Sequence, residues 1–137
     1  MSVKFEDNHI QVNEAIKAAA LAFLNEAAGE VRSQAMQNAV VDTGRTKNSY
    51  DYYTDDSEMT AYVGGNYENI IWEEYGTGEF ALHGDGRKTP WKYKDRHGNW
   101  HTTRGKKPRQ PLLKAFKSKA ALIKRVCEQK FRGLNNV

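Results

Sequence analysis

Residues 41–78 read VDTGRTKNSYDYYTDDSEMTAYVGGNYENIIWEEYGTG, and the fold turns on this stretch. Both of its ends are tight-turn signals. Asp42 and Thr43 carry side-chain oxygens suited to bonding nearby backbone N–H groups, and Gly44, ahead of Arg45, accepts positive φ without steric cost. Gly76, Thr77 and Gly78 play the same part at the far end. Between them, Asn48 to Thr54 is aromatic and β-favouring, with Tyr50, Tyr52 and Tyr53. Asp55-Asp56-Ser57 is a turn, Met59 to Val63 alternates loosely, and Gly64-Gly65-Asn66 stops the run. The pair reads as a β-hairpin with a polar tip. Ile70-Ile71-Trp72 leading into Glu73-Glu74-Tyr75 fits either a third strand or a short helical turn. The expectation is a small antiparallel sheet over residues 45–78.

Upstream, residues 9–39 predict one long helix. Val12, Ile16, Ala19, Ala20, Phe23, Ala27 and Val31 recur at spacings of three and four, alanine is abundant and no proline interrupts. At 1.5 Å per residue such a helix is roughly 45 Å long, long enough for one end to project. Gly29 marks a kink or a close contact. Phe23 is the expected core anchor, worth about 3–5 kcal/mol on truncation to Ala if buried. Downstream, residues 80–107 carry little apolar periodicity beyond Trp91, Tyr93 and Trp100. Asp95-Arg96-His97-Gly98 suits a type I turn, so Trp91 to Lys94 and Asn99 to Thr103 predict a second, basic hairpin. Pro111 suits the first turn of a helix, and Leu112, Phe116, Ala120, Ile123, Cys127 and Phe131 give an amphipathic helix over residues 111–132 with Gly133 as its stop. The fold class is therefore α+β: a long N-terminal helix packed on a small antiparallel sheet, a protruding basic hairpin and a C-terminal amphipathic helix, in a single domain over 1–137.

The charge is modest in sum, +4, and polarised along the chain. Residues 51–79 hold Asp51, Asp55, Asp56, Glu58, Glu68, Glu73, Glu74 and Glu79 with no Lys or Arg. Residues 80–109 hold Arg87, Lys88, Lys92, Lys94, Arg96, Arg104, Lys106, Lys107 and Arg109 against Asp85 and Asp95. The mean hydropathy of −0.82 implies a small core and a wet surface, so oligomerisation is a natural source of further burial. No apolar run is long enough to span a bilayer and the N-terminus lacks a signal-peptide apolar region. A lone Cys127 allows neither an internal disulfide nor a cysteine-based zinc site. The expected place of synthesis is a reducing cytoplasm.

Each candidate site competes with a plainer reading. Asp42-Thr43-Gly44-Arg45 suggests a phosphate or metal loop, but no Gly-rich loop ending in Lys-Ser/Thr exists here. The plainer reading is a helix-to-strand turn whose Arg45 reaches a carboxylate, Glu74 being the choice. His83, His97 and His101 with Asp85 suggest a metal site, yet their spacing provides no well-placed third ligand, so surface histidines are preferred. Glu73-Glu74 with Asp55-Asp56 have the residue types for acid–base or nuclease chemistry, with His97 as a partner. No Lys or His accompanies them on their own segment, and solvated charge is preferred. Arg and Lys interleaved with Trp91, Tyr93 and Trp100 is the pattern of a nucleic-acid surface. It is equally one half of a subunit interface, in which Asp55, Asp56 and Glu73 of one copy meet Arg87, Trp91, Lys92, Lys94, Arg96 and Trp100 of the next.

Five tags in order decide between them. VDTGR (Val41 to Arg45) with Asn48-Ser49, YVGGN (Tyr62 to Asn66), EYGTG (Glu74 to Gly78), GDGR (Gly84 to Arg87) and the PW.Y.D..G.WH.T.G..P run to Pro108 resemble the small neck and tail-completion proteins of long-tailed bacteriophages and prophages. These are often described as minor tail components or head–tail connectors. Residues 12–132 are covered. The family's closing Arg-Pro-Phe-Leu appears here as Arg109-Gln110-Pro111-Leu112-Leu113, changed in order and without the phenylalanine. The resemblance implies a structural virion protein rather than an enzyme, with no cofactor and no metal. It implies a ring homo-oligomer in the neck or tail that contacts neighbouring connector and tail proteins and no membrane, and it is compatible with weak contact to DNA passing the lumen. The resemblance does not separate a neck layer from the adjacent tail terminator. A nucleic-acid-binding module is the alternative.

Overall fold

A computed structural model of the chain describes residues 9–41 and 44–136. Helix α1 spans His9–Asn38. A five-residue helix α2, Arg45–Ser49, follows, and then strands β1, Asp51–Asp55, and β2, Thr60–Gly64. Helix α3 is Glu68–Tyr75, with a 3-10 turn at Gly78–Phe80. Strands β3, Trp91–Lys94, and β4, Trp100–Thr103, precede helix α4, Pro111–Arg132, and a last 3-10 turn, Gly133–Asn136. The architecture is α+β, with a long N-terminal helix, two separate two-stranded antiparallel sheets and a C-terminal helix.

Helices α1 and α4 form the frame and run antiparallel. Asn38 Nδ2 donates to the Pro111 carbonyl (3.1 Å) at one end, and Lys130 pairs with Glu26 (3.0 Å) toward the other. Small side chains fill the contact: Ala27, Ala28, Ala35 and Ala115 are all buried. Short side chains let helix axes approach closely. The β1–β2 hairpin lies on α1 through its inner face. Thr54 Oγ1 donates to Asn25 Oδ1 (2.7 Å), and the Tyr52 ring faces Gly29 at ordinary contact distance. The core is small, comprising Val31, Ala35, Ala39, Tyr50, Ile70 and Ala115, with Met36, Val63, Tyr67, Leu112 and Ile123 packed around them.

The structure corrects several expectations. The region 45–78 is not one sheet. It contains a single hairpin, with α2 before it and α3 after it. Asn48 and Ser49 are helical, because the Gly44 carbonyl accepts the Asn48 N–H (2.9 Å) and opens a helical turn instead of a strand. The choice at Ile70–Tyr75 falls to a helix: Ile70, Glu73 and Glu74 are buried together at i, i+3 and i+4. Phe23 is half-buried and lies outside the core cluster. It lines an open apolar groove with Leu24, Val63, Leu113 and Phe116. Helix α4 stops at Gly133, as read from the sequence, though without a left-handed residue. The Gly133 φ is −62° and the backbone tightens into 3-10 geometry. Pro111 stands at the first turn of α4 and the Asp95–Gly98 turn closes β3–β4, both as read from the sequence.

Candidate functional site

The tags after Glu73 are one physical unit. Glu73 and Glu74 are 3 % and 7 % exposed. The Glu74 carboxylate accepts the N–H groups of Leu112 (2.9 Å) and Leu113 (3.0 Å). Gln110, the residue at the cap position of α4, makes no side-chain cap, so α3 supplies the cap from 38 residues away in sequence. A carboxylate there also favours the positive end of the helix dipole. Glu73 pairs with Lys106, and Arg109 Nε lies 4.0 Å from its other oxygen. The Glu73 carbonyl receives the N–H groups of Arg109 (2.8 Å) and Gln110 (3.1 Å). The end of α3 thus holds both the base of the basic hairpin and the start of α4.

That base is a short strap. Thr77 N–H donates to the Lys106 carbonyl (2.9 Å), Lys106 N–H to Thr77 Oγ1 (2.9 Å), and Glu79 N–H to the Arg104 carbonyl (3.0 Å). Gly78 (φ 61°) and Gly105 (φ 124°) face each other across it. A Cβ on Gly78 would sit closer than 3.0 Å to the Arg104 carbonyl, and one on Gly105 equally close to that of Thr77. Only glycine combines these angles with this approach.

The remaining sequence-derived residues divide as follows. Asp42 and Thr43 lie outside the described residues. Gly44 has φ 82°. The Arg45 guanidinium lies 4.3 Å from the Tyr67 ring centroid, and Glu74, its expected partner, is bound by α4 instead. Glu73 leaves the interface set because it is buried and paired within the chain. Asp55 holds its own turn, accepting from Ser57 N–H (3.0 Å), Ser57 Oγ (2.7 Å) and Glu58 N–H (3.1 Å). The Ser57 hydroxyl, then the Glu58 N–H, hold its carboxyl below the usual 3.8. Asp56 is exposed. Arg87 stacks on Trp91 (5.6 Å).

The histidines do not converge. The His83 ring lies 5.3 Å from that of Tyr75, and His97 meets Arg96. His101 bonds Asp95 (2.7 Å) and, with the Asn99 N–H, lowers that carboxyl below 3.8. Among the described residues no three His, Cys, Asp or Glu side chains are grouped to hold a metal ion.

Two hairpin faces are exposed, as are Ile71, Trp72 and Tyr75 of α3. In β3–β4 the register sets Trp91 opposite Thr103 and Tyr93 opposite His101 on one face, and Lys92 opposite Thr102 and Lys94 opposite Trp100 on the other. Tyr93 lines a polar cleft of about 960 Å³ toward Arg45, Tyr67 and Asn69. The lysine face is exposed at all four positions, with Trp100 68 % exposed. In β1–β2 the register sets Tyr53 opposite Tyr62, and their rings stack at 5.0 Å. That pair is exposed, with Asp51 and Asp55 beside Tyr53 on the same face and Asp56 and Glu58 at the tip. The sequence reading missed this tyrosine pair, which becomes visible only once Asp55–Thr60 fixes the register. Comparison with protein-family models, curated proteins and solved structures finds no match for the chain.

Proposed function

We propose that the chain is a structural subunit of a ring at the head–tail joint of a long-tailed bacteriophage, in the neck or the tail-completion layer. The observation that carries this reading is the pair of hairpins of opposite charge held at separate places in the fold, the acidic one on α1 and the basic one at the end of α3. The acidic hairpin is fixed near Asn25 by Thr54, whereas the basic hairpin shares a cleft with Val40 and Arg45. A head-to-tail arrangement of copies satisfies both surfaces and closes into a ring where the rotation permits. The resemblance of the five tags supports the same reading, and the last of them share one packed strap around Glu73, Gly78 and Gly105. The test is electron microscopy of lysates after deletion of this gene from the phage or prophage that carries it. Filled heads beside separate finished tails are expected. Complete particles would overturn the role.

The second reading, nucleic-acid binding, is favoured by Lys92, Lys94 and the exposed Trp100 on one face. It predicts duplex affinity that falls steeply with salt. A ring subunit shows negligible affinity at physiological salt.

A further inference from the structure

The two exposed hairpin faces match each other in kind. One presents Tyr53 and Tyr62 bordered by carboxylates, and the other presents Trp100 bordered by Lys92 and Lys94. Each is a two-stranded antiparallel surface, five residue pairs in one and four in the other. Among the described residues no ion pair joins the two hairpins, Lys92 and Lys94 take part in none, and on the tyrosine side Asp51 lies 4.0 Å from Arg32 Nε while Asp56 and Glu58 have no cationic partner. Exposed tyrosine and tryptophan are the residue types that anchor interfaces once desolvated.

We infer that the occupant of the lysine–tryptophan face is the tyrosine–carboxylate face of a second copy of this chain. The contact is heterologous: Lys92 and Lys94 lie against Asp56 and Glu58, and the Trp100 ring lies against the Tyr53–Tyr62 stack. The opposite fields steer and register the copies, while the aromatic centre supplies the desolvated anchor. This inference rests on the ring reading above and names its contact. Glu73, Arg87 and Trp91 take no part, because Glu73 is buried against Lys106 and the Arg87–Trp91 stack belongs to the opposite hairpin face.

The test mixes unlabelled and nitrogen-15-labelled protein, joins contacting amines and carboxylates with a zero-length carbodiimide, and reads the products by mass spectrometry. Cross-links of mixed isotope between Lys92 or Lys94 and Asp56 or Glu58 are expected. Two charge-reversed variants complete it, Lys92→Glu/Lys94→Glu and Asp56→Lys/Glu58→Lys. All four side chains are exposed, and unchanged circular dichroism melting checks that both variants fold. Each alone should lose self-association at least about tenfold, and mixing the two should restore it. No such cross-link at millimolar protein overturns the inference, as does unchanged association of either variant or no rescue on mixing. Capture of DNA by the Lys92/Lys94/Trp100 face without self-contact also overturns it. The ring role fails separately. If the gene deletion leaves heads and tails unjoined but both charge-reversed alleles complement it fully, this contact is wrong and the role stands. If the deletion leaves particles complete, the role itself falls.

Discussion

Tyr50 is the one large side chain among the described residues that is almost wholly enclosed, at 1 % exposed, and its hydroxyl finds no hydrogen-bond partner there. Burial first, then the charges of Glu74 and Glu73, push that hydroxyl from 10.0 up to about 12. The fold therefore prefers neutral Tyr50. This preference is fully present below pH 10 and is lost as the pH climbs toward 12. A buried hydroxyl without a partner costs free energy, so Tyr50→Phe should leave stability unchanged or raise it by about 1 kcal/mol. Thermal melting checks this, and a clear loss of stability would mean the hydroxyl is satisfied. Gly78 is the opposite case. Gly78→Ala combines left-handed strain with a carbonyl clash and should cost roughly 2–4 kcal/mol. Gly84→Ala, at φ 71° with open space around it, should cost only about 1–2 kcal/mol. Denaturant melts of the two variants give the comparison. Asp55 and Asp95 bind backbone N–H groups in the two hairpin turns, and both carboxyls lie below their ordinary 3.8. A lowered folded pKa stabilises above the unfolded value and is lost as pH falls through the folded one. Amide resonances of Ser57, Glu58, His97 and Asn99 should hold their positions at neutral pH and move only below about pH 4.

At the scale of elements, α3 ties the molecule together. Its inward face is Ile70, Glu73 and Glu74, and the two acids grip Lys106 and the start of α4. Glu74→Ala leaves the Leu112 and Leu113 N–H groups without their acceptor and should cost about 1–3 kcal/mol. Hydrogen exchange should show the first turn of α4 losing protection while its middle keeps it. Uniform protection would contradict the capping role. The long helix, the β1–β2 hairpin, the β3–β4 hairpin and α4 were legible because each rests on a local signal: periodicity, a turn or a proline at a first position. The helical state of α3 was not. Its deciding feature is two acids on the buried face, and they are buried because partners more than thirty residues away neutralise or cap them. Sequence spacing reads Glu73-Glu74 as surface charge. The same holds for Arg45, whose neighbour Tyr67 depends on how α2 folds back on the segment before α3.

At the scale of the whole molecule, the polarity of charge was legible and its use was not. Part of the acidic block is spent inside the fold, on Lys106 and on α4; outside lie the β1–β2 face and tip, Glu68, and Glu79 beside Arg104. Likewise, Trp91 and Tyr93 share a hairpin face with His101, and Trp100 alone joins the lysines. Alternation along a strand separates these residues, but register decides which of them meet. The account joins two exposed, oppositely charged hairpin faces on a stiff helical frame to a ring-forming role at a phage joint. Cryo-electron microscopy of the head–tail joint, in particles made by the genome that encodes the chain, tests this most directly. The account predicts a closed ring of copies, with the tyrosine–carboxylate hairpin of each against the lysine–tryptophan hairpin of the next. A joint built without this chain would contradict it.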